Sequence, residues 1–198
     1  MTTPWGLSPH FFRSLICESI CVIAAWNQDF AWFTKAEARQ FVPAEAKVGK
    51  RQGLPVPLLH RIACAHLIDN VRGQTSPFEE SQVKKARLST EVTAVAGDVV
   101  SLRLEGETRT AMEGGREHGL EMRLLGKATF DVANGRFRAF ELVAVGSRWG
   151  GTLLNGRRGD ADAAPIGILF TLAAGSPCER VAPAFNRHPV YRPVVSDK

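Results

Sequence analysis

Several absences narrow the reading before any motif is considered. Only four cysteines occur, Cys17, Cys21, Cys64 and Cys178, and none belongs to a CxxC pair. That is too few for a disulfide scaffold, so reduced thiols and, by default, a cytoplasmic setting are expected. No run approaches the roughly 20 uncharged apolar residues of a membrane-spanning helix, so the chain reads as soluble with no integral membrane segment. Charge of one sign is not massed: 25 Lys and Arg stand against 20 Asp and Glu, a net +5, and the only dense basic runs are "KVGKR", "KK" and "GRR". Without a basic stripe interleaved with aromatics, the surface reads as mixed and solvated, and nucleic acid is not an expected partner. No Gly-x-Ser-x-Gly, HExxH or GxGxxG motif occurs, and "AKVGKRQ" lacks the spacing and the Ser or Thr of a phosphate loop. Internal repeats and low-complexity tracts are absent too, and no cofactor is implied.

What remains is the composition of an ordinary globular domain, 44% hydrophobic and 23% charged over 198 residues. The first 80 or so residues carry helical signals. Ser8 and Pro9 precede "HFFRSLICESICVIAAW", apolar on most of its circumference, which predicts a buried helix; Glu18 in its middle argues against a signal peptide. Thr34 and Glu37 form a capping box, Pro43 closes that short helix, and "PVPLLHRIACAHLIDNVRG" places Leu58, Ile62, Ala65 and Ile68 at helical spacing before Gly73. Ser76, Pro77 and Glu79 predict one more capped turn.

From about residue 84 the period changes to two. In "DVVSLRLEGETR" Val100, Leu102 and Leu104 alternate with polar residues, and "KKARLSTEVTAVA", "EMRLLGKATFDV" and "PIGILFTLAA" behave alike. Turn signals at Ala96-Gly97-Asp98 and Asn134-Gly135 join neighbouring strands. The expected fold is α+β: N-terminal helices over residues 1–80 packed on an antiparallel meander of about five long strands over 81–175, curved or partly closed into a barrel, with an extended tail over 176–198, all in one structural domain.

The hairpin "ATFDVANGRFRAFELVAVGSRWGG" leaves its register open. A two-residue Asn-Gly turn sets Glu141 opposite Ala128 on the apolar face, where an unpaired carboxylate costs several kcal/mol or protonates. A bulge shifts the register by one, so that Phe140 faces Ala128, Leu142 faces Gly126, and Lys127 meets Glu141 as an exposed ion pair. Polar satisfaction favours the bulge. The inward alternative makes Glu141 an interior ligand-binding carboxylate.

Candidate chemistry concentrates in three places. On a helix, Asp69 lies three residues beyond His66 and can orient it as a general base, with Arg72 three further on; the plainer reading is a partly buried histidine with Asp69 as its salt-linked neighbour and Arg72 as a cation of the last turn, favoured by the helix dipole. Cys17, Cys21, His60 and Cys64 could be assembled into a zinc site, although cysteine as a small buried hydrophobe explains their spacing better. In "SRWGG", Arg148 and Trp149 can clamp an anionic or aromatic ligand, or Trp149 can plug a barrel end. The loop over 147–164 is longer than structureless connections usually are, so it is expected to be either functional or floppy.

These residues carry a resemblance. The "ATFDVANGRFRAFELVAVGSRWGG" stretch, with "NGR", "APIGILFTLA" and the upstream "HLIDNVRGQTSPF", resembles an uncharacterised bacterial family of β-rich domains that share a Phe-Glu-Leu-Val-Ala-x-Gly-x-Arg-Trp-Gly strand. The resemblance implies a β fold over roughly residues 54–185 and a secreted or periplasmic alternative to the cytoplasm, but no activity. It directs attention to His66, Asp69, Arg72, Glu141, Arg148 and Trp149. The leading functional expectation is a small-ligand- or partner-binding β domain without catalysis, working at the end lined by the 147–164 loop. The alternative is a hydrolase with His66 as base, Asp69 as its orienter and Arg72 or Arg148 as an anion clamp; zinc binding is the weaker third reading.

Overall fold

Alternation of apolar and polar residues over long stretches can be satisfied only by a sheet with one dry and one wet face, and such a sheet organises this chain. A computed structural model describes residues 10–16, 28–114, 117–152, 154–155, 159–176 and 179–191. In chain order the elements are β1 (His10–Ile16), β2 (Gln28–Phe33), α1 (Lys35–Arg39), β3 (Arg51–Gly53), α2 (Val56–Arg61), a π-helical turn (Ile62–His66), 3-10 turns at Asn70–Arg72 and Glu80–Gln82, β4 (Val83–Ala96), β5 (Val99–Met112), β6 (His118–Asp131), β7 (Arg136–Gly150), β8 (Ala164–Leu172) and a 3-10 turn at Pro189–Tyr191. The strands form one eight-stranded sheet in the order β2-β1-β8-β7-β6-β5-β4-β3, with every neighbouring pair antiparallel. That order is linear, and among the described residues no ladder joins β2 to β3, so the sheet is not closed into a barrel.

The five long strands expected from period two are β4 to β8. The N-terminal helix is not observed where it is described: His10–Ile16 is a strand, paired with β2 on one side and β8 on the other. An apolar run without clear period fits a strand buried within a sheet as well as a buried helix, and here the open edge of β8 decides the matter. The remainder of that run, including Cys17 and Cys21, lies outside the described residues. The first 80 residues therefore supply strands as well as cover, and the two α-helices described among them have only five and six residues.

The Thr34–Glu37 capping box forms as its spacing dictates: the Glu37 amide donates to Thr34 Oγ1 at 3.1 Å and the Thr34 amide to Glu37 Oε2 at 2.7 Å. The chain following it lays Phe41, Leu58, Ile62, Leu67, Ile68 and Phe78 over the inward sheet residues Leu102, Leu104, Leu120, Met122, Leu124, Phe130, Phe140 and Leu142. Phe41, fully buried, is the hub of an aromatic cluster, meeting the rings of Phe33, Phe137 and Phe140 edge-on at 5.7, 5.5 and 6.1 Å. Edge-to-face contacts of this kind add about 0.5–1.5 kcal/mol each beyond area burial. Helical spacing in "PVPLLHRIACAHLIDNVRG" holds only to His66. The π turn and a non-helical Leu67 (φ −94°, ψ 76°) break it, and Gly73, with φ 70°, ends the following 3-10 turn.

The β6–β7 register follows the bulge. Ladder partners run Gly126 with Leu142, Lys127 with Glu141 and Ala128 with Phe140, then shift between Thr129 and Phe130 so that Phe130 meets Phe137. Arg138, left over in the bulge, reaches the Asp131 carboxylate with Nε at 3.0 Å and Nη2 at 2.6 Å, and Asn134 donates to the same carboxylate from its amide and side chain. Bonds from the Asn134 side chain and amide, joined by Arg138, hold Asp131 well below the ordinary carboxylate range.

Candidate functional site

Two polar clusters interrupt the apolar layer, and each is built by an irregular segment. Asp69 caps the 3-10 turn Asn70–Arg72, accepting from the Arg72 amide at 3.1 Å and from Arg72 Nε, while its own amide donates to Gln74 Oε1 at 2.9 Å. The Arg72 guanidinium then gathers backbone carbonyls across the fold, those of Gly150, Asp160 (2.6 Å) and Trp149 (3.4 Å). Thr152 Oγ1 returns a bond to the Arg72 carbonyl. Arg148, from the end of β7, places Nη2 at 3.0 and 3.1 Å from the two oxygens of Asp160 and Nε at 3.9 Å from Asp69 Oδ2. Asp69, Arg72 and Arg148 are almost wholly buried. Two arginines and two aspartates thus pin Trp149, Gly150 and Asp160 to the turn after α2, with no net charge among the four.

The second cluster surrounds His66, whose side chain is completely buried. Its Nδ1 stands 3.1 Å from Asp29 Oδ2 on β2, and its Nε2 meets the Tyr191 hydroxyl. With the Nδ1 proton directed at the carboxylate, Nε2 is left to accept from the phenol, so both ring nitrogens are satisfied. Asp29 Oδ1 accepts from the Ala184 amide at 2.9 Å. Nearby, Arg61 donates to the Val190 and Trp32 carbonyls, each at 3.0 Å, and to Glu37 Oε1 at 2.6 Å, and lies over the Tyr191 ring at 4.9 Å. Burial pushes the Asp29 carboxyl up, but the hydrogen bond from His66, with that from the Ala184 amide, outweighs it and leaves the group below its ordinary range. Burial likewise drives the Tyr191 phenol well above its usual value. The cluster acts as a buckle that fastens the segment over 184–191, which runs in turns ending in the 3-10 turn Pro189–Tyr191, to the body.

The sequence-derived sites are redistributed accordingly. Asp69 does not orient His66: the helix ends between them, the i to i+3 geometry is lost, and Asp29 takes that role while Asp69 pairs with Arg72. His66 and Arg148 share no partner. Glu141 is not an interior carboxylate; its side chain is 57% exposed and pairs with Lys127 at 3.0 Å. Arg148 and Trp149 cannot close on one ligand, because consecutive strand residues project to opposite faces. Arg148 turns into the buried quartet, whereas Trp149 lies half-buried across Gly119 of β6, with Arg109 above its ring at 5.8 Å. Trp149 therefore plugs no barrel end. Of the zinc candidates, His60 Nδ1 contacts Glu80 Oε2 at 2.8 Å, and burial pushes the Cys64 thiol up to about 12. Among the described residues no group of three or more His, Cys, Asp or Glu side chains is placed to hold a metal, and no helix is long and apolar enough to cross a membrane.

A concavity that the sequence did not reveal lies at the far edge. The strand β3 pairs only with Ser89–Glu91 of β4. Where it stops, an open groove of about 690 Å³ begins, floored by Leu54, Leu59 and Leu88 and rimmed by Arg87, Glu105 and Arg123. The ladder beside it fixes which backbone groups face outward. Leu88 and Val92 accept from Leu54 and Gly49 on the β3 side, so alternation turns the amide and carbonyl of Ala86 to the same open side. No residue pattern marks this feature, since it arises from the shortness of β3 and not from any property of β4. Comparison of the chain with family models, curated proteins and solved structures finds no match.

Proposed function

We propose that the protein is a binding module without catalysis that takes an extended peptide as an added strand along the open part of β4. The observation that carries this reading is the 690 Å³ groove beginning where the three-residue β3 ends, beside outward-facing backbone groups at Ala86. Strand addition draws affinity from main-chain hydrogen bonds and selectivity from pockets for alternate side chains. Leu54, Leu59 and Leu88 offer an apolar floor for one face of such a peptide. Glu105 and Arg123, which form no ion pair among the described residues, offer charges of both signs to the other. Lys84, Lys85 and Arg87 of β4 are exposed and ion-paired, the first with Glu113 and the other two with Glu107, so the outer face of this edge carries charges of both signs. Against the hydrolase alternative stand the burial of His66, the occupation of both its ring nitrogens and the separation of Asp69 from it.

The test is a peptide-display selection followed by NMR titration of a selected peptide. Ala86→Pro deletes one outward donor on an edge strand, where proline is tolerated, without touching the β4–β5 ladder. Loss of that bond, at about 1 kcal/mol net, lowers affinity roughly five- to tenfold while circular dichroism stays unchanged. Peptides that bind the proline variant equally well, or that perturb amides away from β4, defeat the proposal.

A further inference from the structure

Arg148 has one more donor than its surroundings use. Its side chain is 9% exposed, Nη2 serves both oxygens of Asp160, and Nε faces Asp69 at 3.9 Å, yet Nη1 is buried with no hydrogen-bond partner. Its companion Arg72 is fully engaged, with Nε, Nη1 and Nη2 all donating. A buried guanidinium nitrogen without an acceptor carries a full desolvation cost. Asp160 does not relieve it, because both its oxygens converge on one nitrogen instead of spanning the two terminal nitrogens as a parallel pair of bonds does.

We propose that Arg148 is the anchor of a binding site for a small organic monocarboxylate, and that Asp160 is the internal carboxylate such a ligand displaces. Charge decides the ligand class. Asp69 and Asp160 already balance Arg72 and Arg148, so an added anion leaves the buried quartet negative, and a dianion such as phosphate does so twice over. Exchange of one carboxylate for another keeps it neutral. Asp160 is the member able to leave: its side chain is 25% exposed, against 9% or less for the other three. A ligand carboxylate spanning Nη1 and Nη2 gains the parallel geometry that Asp160 lacks and satisfies the orphaned donor. The site is at the opposite end of β6 and β7 from the Asn134–Gly135 turn and is independent of peptide binding at β4.

Titration with sodium acetate and sodium benzoate at constant ionic strength, read from the guanidinium Nε resonance of Arg148, tests the proposal, with sodium phosphate as the comparison. If Asp160 holds the guanidinium about nine-tenths of the time, Asp160→Asn, which removes the competing charge, tightens acetate binding about tenfold. Arg148→Lys, which keeps the charge but not the fork, weakens it by a similar factor. Saturable acetate binding in the Asp160→Asn protein that phosphate does not match supports the site, even where the wild type binds too weakly to saturate. No saturable shift in the Asp160→Asn protein, equal binding of phosphate, or binding unchanged in a folded Arg148→Lys protein overturns it. Should Arg148→Lys fail to fold, the Asp160→Asn titration decides alone.

Discussion

Replacing Arg72 by methionine tests the polar quartet most directly. The substitution keeps an unbranched apolar side chain in a site that is 2% exposed but removes the donors to Asp69 and to the carbonyls of Trp149, Gly150 and Asp160. Asp69, itself 1% exposed, is left with Arg148 at 3.9 Å as its nearest cation. Breaking a buried pair from one side costs about 3–5 kcal/mol, because the surviving charge stays buried and uncompensated. For a domain of this size each kcal/mol moves the melting midpoint by about 2–4 °C, so the expected loss is roughly 6–20 °C. Urea unfolding followed by circular dichroism gives the free energy, and a double-mutant cycle with Asp69→Asn isolates the pair. Because the second substitution removes the stranded charge, the double variant should be more stable than the sum of the single losses implies, by about 1–3 kcal/mol. A loss below about 1 kcal/mol for Arg72→Met, or strict additivity in the cycle, refutes the account of the quartet as one coupled network.

Two further predictions probe the sheet. Glu141→Gln should change stability by no more than about 1 kcal/mol, since Lys127 and Glu141 are an exposed cross-strand pair; a change of several kcal/mol in urea unfolding would mean that the carboxylate faces the core. Asp131 has its folded pKa depressed below the ordinary 3.8 by Asn134 and Arg138, so its stabilisation is complete above 3.8 and drains away as pH falls toward the lower folded value. Asp29 and Glu37, also lowered, act with the same sign. Asp131→Asn should therefore destabilise at neutral pH and flatten the acid limb of a stability profile recorded from pH 6 to pH 2; a variant curve parallel to the wild type contradicts the assignment.

Much of the sheet was legible because its information is local. Alternation along "DVVSLRLEGETR" and "EMRLLGKATFDV" marks faces whatever the partners are, Thr34 and Glu37 satisfy each other across three residues, and the cost of burying Glu141 selects the bulged β6–β7 register before any coordinates exist. The failures share a cause of the opposite kind. Whether "HFFRSLI" becomes helix or strand depends on an open edge of β8 more than 150 positions away, and the pattern of a run with no clear period carries no trace of it. His66 finds Asp29 and Tyr191 across 37 and 125 positions, in place of the neighbour at i+3, because the helix that would have presented Asp69 stops. Arg148 and Trp149 stand side by side in the chain and on opposite faces in the fold. By itself, then, the amino-acid order determined which residues turn inward along β4 to β8 and how the short caps close. Only the tertiary structure decided which distant segment covers each buried charge, since a carboxylate or guanidinium removed from water takes whatever partner the packing of the whole chain brings within reach.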